Sequence, residues 1–368
     1  MKNLTTTLCL TIAVLLGSMG VSESESADPV EINFTRQELI NKWRERIQSF
    51  LDRGVIPIID LQSSISRNDS KRYLQDLLLA MDNLGIALIA FDGYQSPKGS
   101  KKSKGYRWSS YTNELVNGYP NYFIPTTNGG TNNNWLKNKK SFVNQVDNNV
   151  RAGKYFIIGE LDFRHYMSKN QCKNLRIDRD SDLPLDGKNG RKIFALSSDT
   201  GTPFVIHHEP EDHALNALEK MIKHYPKAKV IVAHFGQIRH PERQQLFKPK
   251  LVRRLLNTYP NLFYDLSTGY PNRIYKCMDG NKVFDTVIWR KEKGNQSSSL
   301  DPAYRDILEN FSKRFVAGTD YGRGRGVLKK YLKRKIKNHR LIIRDVSNDA
   351  KHDICYRNAW KLLTGESW

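Results

Sequence analysis

Two consecutive apolar runs in this chain end in histidine. T-P-F-V-I-H-H-E-P carries His207 and K-V-I-V-A-H-F-G-Q carries His234. Between them Leu215, Leu218, Met221, Ile222 and Tyr225 recur at helical spacing, so the stretch reads as strand, helix, strand. Two other apolar runs end in carboxylates: Y-F-I-I-G-E-L-D places Glu160 at a strand tip, and R-F-V-A-G-T-D-Y-G places Asp320 at another. Imidazole nitrogens and carboxylate oxygens hold zinc and similar divalent ions, and the same groups move protons near neutral pH. Each also has a plainer role, as a hydrogen-bonded or ion-paired residue at a strand end. His208 is expected to turn away from His207 by strand alternation. His165, His213, His224, His240, His339 and His352 are expected on solvent-facing helices or loops, and Asp92, Asp265 and Ser267 as caps and turn formers.

Groups this far apart in sequence meet only in a fold that gathers strand ends. Eight apolar runs are readable: Val55–Leu61, Ile86–Phe91, Tyr122–Pro125, Tyr155–Glu160, the two ending in histidine, Leu262–Leu266 and Arg314–Gly318. Helical periodicity falls in Thr35–Arg53, Ser70–Leu84, Lys139–Ala152, Lys248–Tyr259, Ala303–Phe311, Val327–Lys337 and Asp349–Leu363, besides the segment between the histidines. No linker or composition break divides the chain, and no G-x-G-x-x-G follows the first run, which argues against a dinucleotide-binding open sheet. The expectation is an α/β protein, a single (β/α)8 barrel whose strand ends converge on one mouth. Arg164–Ser198 reads as a long insertion after strand four. Its Asp178, Asp180 and Asp182 lack the glycine and distal glutamate of an EF-hand loop.

The chain has 368 residues, 39% hydrophobic and 10% aromatic, enough for a substantial core and too many for a disordered chain. Lys and Arg number 59 against 38 Asp and Glu, a formal charge of +21. That balance suits an anionic substrate, surface or polymer, and equally plain solubility. No specific nucleic-acid motif is present. Residues 1–22, Met1–Ser22, read as a signal peptide: Lys2, a short apolar core at Leu8–Leu16, then small residues. Residues 23–54 form a leader and first helix, and 55–368 the barrel. The expected location is secreted or periplasmic, with no transmembrane span in the mature chain. Cys172, Cys277 and Cys355 then allow at most one disulfide and leave one thiol, the pairing being open.

The order of these tips resembles the amidohydrolase superfamily, above all its amidohydrolase-2 branch, and more loosely the TatD-type hydrolases. The matching phrases are P-F-V-I-H at Pro203–His207, V-A-H-F-G at Val232–Gly236, A-G-T-D at Ala317–Asp320, G-E-L-D at Gly159–Asp162 and R-N-A-W-K-L-L at Arg357–Leu363. The resemblance implies a metal-dependent hydrolase. One departure changes what it implies: strand one reads D-L-Q-S-S, so Gln62 and Ser64 stand where the family carries two histidines. A two-metal site is therefore not expected. The implied site is one divalent ion, zinc among the candidates, held by Glu160, His207 and His234, with Asp320 as ligand or general base and Gln62, Arg323 and Arg325 binding substrate. The expected activity is attack of water on an ester, lactone, amide or phosphoester of anionic character. The alternatives are a non-catalytic barrel that has lost its metal and binds an anion, and a glycosidase pairing Glu160 with Asp265 or Asp320.

Overall fold

The computed structural model describes residues 30–65, 67–93, 111–131, 135, 142–210, 212–240, 242–277, 282–322 and 328–368. The expected signal peptide, the basic loop 95–109, and Arg323 and Arg325 lie outside them. The first helix, Arg36–Asp52, starts where a capping box dictates: Thr35 accepts from the Glu38 backbone N–H while the Glu38 carboxylate accepts from Thr35 N–H. It buries Leu39, Ile40, Trp43, Ile47 and Phe50 on one face.

Parallel strands make up two sheets. In the first, β1 (Ile58–Ile65) lies between β2 (Ile86–Gly93) and β14 (Tyr321–Gly322), and β3 (Phe123–Ile124) flanks β2. In the second the order is β13 (Phe315–Val316), β8 (Leu262–Asp265), β7 (Val230–Val232), β6 (Phe204–His208), β4 (Ile158–His165) and β5 (Ser181–Asp182). Only β5 runs antiparallel to its neighbour there. Phe204, Val205, Ile206, Val230 and Ile231 are almost wholly buried, as expected of strands covered on both faces. Helices Lys188–Thr200, Asp212–His224, Pro249–Thr258 and Pro302–Asn310 alternate with these strands.

The two sheets are joined at both edges. On one side Thr126 bridges Ile157 and Gly130 bridges Leu161, both in parallel. On the other, Leu61 N–H donates to the Ala317 carbonyl at 3.1 Å. Asp60 locks that second seam. Its carboxylate accepts from Thr319 N at 3.0 Å, Gln62 N at 3.1 Å, Ser63 Oγ at 2.7 Å and the Thr319 hydroxyl. Gly318 packs closely at the same seam: a Cβ there would stand 3.1 Å from Asp265 Cγ and 3.2 Å from Gln62 Cβ, so those side chains would have to shift.

Two regions differ from the sequence reading. Arg164–Ser198 is not irregular throughout: β4 runs on to His165, and the segment contains short helix Lys169–Lys173, strand β5 and helix Lys188–Thr200, the last lacking any side-chain N-cap. Its Asp178, Asp180 and Asp182 pair with Arg176, Arg164 and His213, which leaves no calcium cradle among them. The loop after β8 forms two hairpins, β9 (Ile274–Lys276) with β10 (Lys282–Phe284) and β11 (Trp289–Glu292) with β12 (Asn295–Leu300). Cys172 is bonded to Cys277, and Cys355 is a buried free thiol. The bridge joins the Lys169–Lys173 helix to the β9 hairpin around a small cluster of Met167, Tyr275 and Val283, separate from the main core.

Burial pushes the Asp60 carboxyl up to about 6, while its four hydrogen bonds act in the opposite direction. Asp60→Asn would set an amide N–H₂ against donors. It should lower unfolding free energy by about 1–3 kcal/mol, the usual consequence of leaving buried donors unmatched, measured by urea denaturation.

Candidate metal centre

Glu160, His207 and His234 come together where β4, β6 and the turn after β7 meet. One ligand atom from each lies within 4.8 Å of the others. Glu160 Oε1 is 3.1 Å from His207 Nδ1 and 3.4 Å from His234 Nε2, and Gln62 Nε2 donates to Glu160 Oε2 at 2.8 Å. Gln62 thus holds a ligand carboxylate, and its own Oε1 is buried without a partner. The two imidazoles meet edge to face with ring centroids 4.8 Å apart.

Each ligand has a support. His234 Nδ1 donates to Ser267 Oγ at 2.6 Å, Ser267 Oγ donates to Asp265 Oδ1, and the same oxygen accepts His234 N–H at 2.9 Å. The relay fixes the ring and leaves Nε2 facing Glu160, as a carboxylate-backed metal histidine requires. His234 and Asp320 both adopt positive φ, 60° and 46°, so each turns sharply off its strand end. His207 Nε2 lies 3.4 Å from Glu209 Oε1, which in turn lies 3.7 Å from Arg239.

Burial raises the Glu160 carboxyl, but hydrogen bonds to His207 and His234 outweigh it and hold the group well below the usual range. Burial likewise lowers His207, while hydrogen bonds to Glu160 and Glu209 win and push it up to about 9. A two-nitrogen, one-oxygen donor set with an ionised carboxylate fits a borderline divalent cation. It does not suit a glycosidase acid, which needs a raised pKa.

Asp320 borders the same cleft but stands outside the ligand trio. Its carboxylate pairs with Lys335 at 3.2 Å, and its N–H donates to the Gln62 carbonyl at 2.9 Å. His208 is turned away, bonded to the Ala214 carbonyl. Two histidines contradict the solvent-facing expectation. His165 is buried with its ring 4.3 Å from that of His207, and Nδ1 donates to the Arg179 carbonyl at 2.7 Å. Burial, then the positive charges of His207, Arg239 and Arg179, hold it well below its usual value, so it is neutral. His339 is buried beside Cys355. Asp162, His165 and His207 make a second group of ligand atoms within 4.8 Å, but Arg179 pairs with Asp162 at 3.1 Å, and two guanidiniums crowd that side. Sequence reasoning missed Glu209, Arg239 and Arg179; only E-P after the paired histidines hinted at Glu209.

The family model described as Amidohydrolase (Amidohydro_2) matches residues 160–364, more than half of the chain. The chain belongs to the amidohydrolase family. No curated protein matches this family member. Among solved structures it is similar to 2,6-dihydroxybenzoate decarboxylase from Rhizobium (11% identity, 83% of this chain and 98% of that one, TM-score 0.47). It is similar also to 5-carboxyvanillate decarboxylase from Novosphingobium aromaticivorans, complexed with manganese (11%, 83% and 96%, TM-score 0.44). A third is dihydroorotase from Campylobacter jejuni (15%, 83% and 82%, TM-score 0.45).

A cation bound to His207 must displace the proton that Glu160 and Glu209 stabilise there. Below about 9 that proton is bound in the metal-free protein. Apparent metal affinity should therefore rise about tenfold per pH unit between pH 6 and 8 and level off above His207's own pKa. Calorimetry in buffers of different ionisation enthalpy should register one proton released per ion.

Proposed function

We propose that this amidohydrolase family member is a secreted hydrolase in which one divalent ion sits on Glu160, His207 and His234, at the mouth of a (β/α)8 barrel. The observation that carries the reading is the ionised Glu160 carboxylate set between two imidazoles, one fixed by the Ser267–Asp265 relay. The two joined sheet edges support the barrel. The N-terminal apolar segment and the Cys172–Cys277 bond support export to an oxidising compartment.

When bound, a divalent ion there would polarise a carbonyl or phosphoryl oxygen and make water a better nucleophile at neutral pH. Gln62 fixes the Glu160 carboxylate and leaves its amide oxygen facing inward. Asp320, with a side chain 43% exposed in the cleft, takes the proton of the attacking water and returns it to the leaving group, while Lys335 keeps the carboxylate ionised before the first transfer and after the second. Arg239, Arg273, Arg334 and Lys169 line the same cleft and favour a substrate carrying negative charge. Helix Leu328–Ile342, rich in lysine, extends that positive field outward. Zinc and manganese are both compatible with this donor set.

The test combines metal content with turnover. Purified protein should hold about one zinc or manganese per chain, and His207→Ala/His234→Ala should hold none. Anionic esters, lactones, amides and phosphoesters are the substrate panel. Asp320→Asn should reduce kcat by about 100-fold or more with metal retained, in line with loss of a general base. Metal retention without turnover on any class would favour a non-catalytic binder. Carbon dioxide release from an aryl carboxylate would instead move the reading to carbon–carbon cleavage at the same ion.

A further inference from the structure

At the other ends of the strands lies a second concavity. Lys229 immediately precedes β7, Asn261 precedes β8 and Arg314 precedes β13, so it sits opposite the side of the sheets that carries His234 and Asp265. The groove holds about 820 Å³ and is closed on one side by the C-terminal helix Asn358–Thr364 and Trp368. That is within the usual range for small-molecule sites, about 300–1,000 Å³.

Its charge is lopsided. Lys227, Lys229, Lys313, Arg314, Arg357 and Lys361 line it, against two carboxylates, Asp349 and Asp353. Both carboxylates are taken by Arg357, at 2.9 and 3.5 Å, and Asp353 also accepts from Ser312 Oγ at 2.9 Å. Among the described residues no carboxylate forms an ion pair with the four lysines. Lys229 is half-buried and has only a 3.4 Å contact from Nζ to the Leu362 carbonyl. Desolvation first, then the positive charges of Arg36 and Lys361, lower its pKa. An ammonium group kept half-dry between two other cations destabilises the chain unless an anion joins it.

The two guanidiniums are already committed. Arg357 faces carboxylates, and Arg314 donates to the Leu262 carbonyl at 3.1 Å and to that of Tyr259. The groups left for a ligand are ammonium point charges, which attract phosphate and other oxyanions without the bidentate geometry of a guanidinium. We propose that this groove is a binding site for a phosphate- or sulfate-bearing anion, independent of the metal centre.

The experiment is calorimetry of the full chain at low ionic strength with three probes: inorganic tripolyphosphate, a trisulfated disaccharide, and phosphatidylglycerol vesicles. At least one should bind saturably, weakening with salt as exposed ion pairing does. Lys229→Met/Lys361→Met keeps the apolar stems and should weaken binding tenfold or more. Its thermal midpoint should be unchanged or raised and its metal content unchanged. The control Lys333→Met/Lys337→Met, on the outer basic helix, should bind as before. So should His207→Ala/His234→Ala, which separates this groove from the proposed reaction. The probe bound tightest distinguishes free phosphate, sulfated sugar and lipid headgroup as the source. Absence of saturable binding to all three would overturn the proposal, as would equal weakening by the control pair.

Discussion

A carboxylate removed from water must meet opposite charge or hydrogen-bond donors, or it takes up a proton. Glu160 is in that position, and the centre of this protein is arranged around it. Its partners come from three places in the chain: Gln62 on β1, His207 on β6 and His234 just past β7. They converge only if β1 of one sheet stays in register with β4 of the other. Asp60 ties the seam between the sheets by accepting two hydrogen bonds from Thr319 across it and two from Gln62 and Ser63 on its own strand. Asp265 does a similar task on the far side, taking the His234 N–H and the Ser267 hydroxyl together. Two buried acids thus hold in place the groups of the candidate metal centre.

The arrangement also gives Gln62 a role at the position where the family resemblance implies histidine. An imidazole there would add a ligand. The amide instead offers an N–H to Glu160, so the carboxylate remains anchored with fewer nitrogen donors around it.

Much of this was readable in the sequence, and the reasons are specific. Strands β6 and β7 announce themselves because they are buried on both faces and stop at polar residues. Between them Leu218, Met221 and Ile222 face inward as their spacing requires. β4 was read as ending at Glu160, yet it runs to His165 because L-D-F-R-H alternates and pairs with β6 across Arg164 and His208. Helix Lys188–Thr200 was missed because its first turn is polar and uncapped. The β9–β12 hairpins were missed because their outward faces carry lysine, serine and asparagine in place of an apolar alternation. Glu209, Arg239 and Arg179 act through contacts between distant segments, and no local spacing encodes such partners. The cysteine count allowed one bridge; only the folded chain shows that it ties the rim of the cleft, where Ser168 and Gln171 face Arg273 and Ile274.

His234 and Asp320 share a backbone feature. Both sit at positive φ, where histidine and aspartate are tolerated but glycine is freer. Replacing either residue by glycine would ease the backbone while discarding the side chain. Leu175, Asn272 and Lys293 share that conformation, so the backbone alone confers no role; what sets His234 and Asp320 apart is that their side chains border the same cleft.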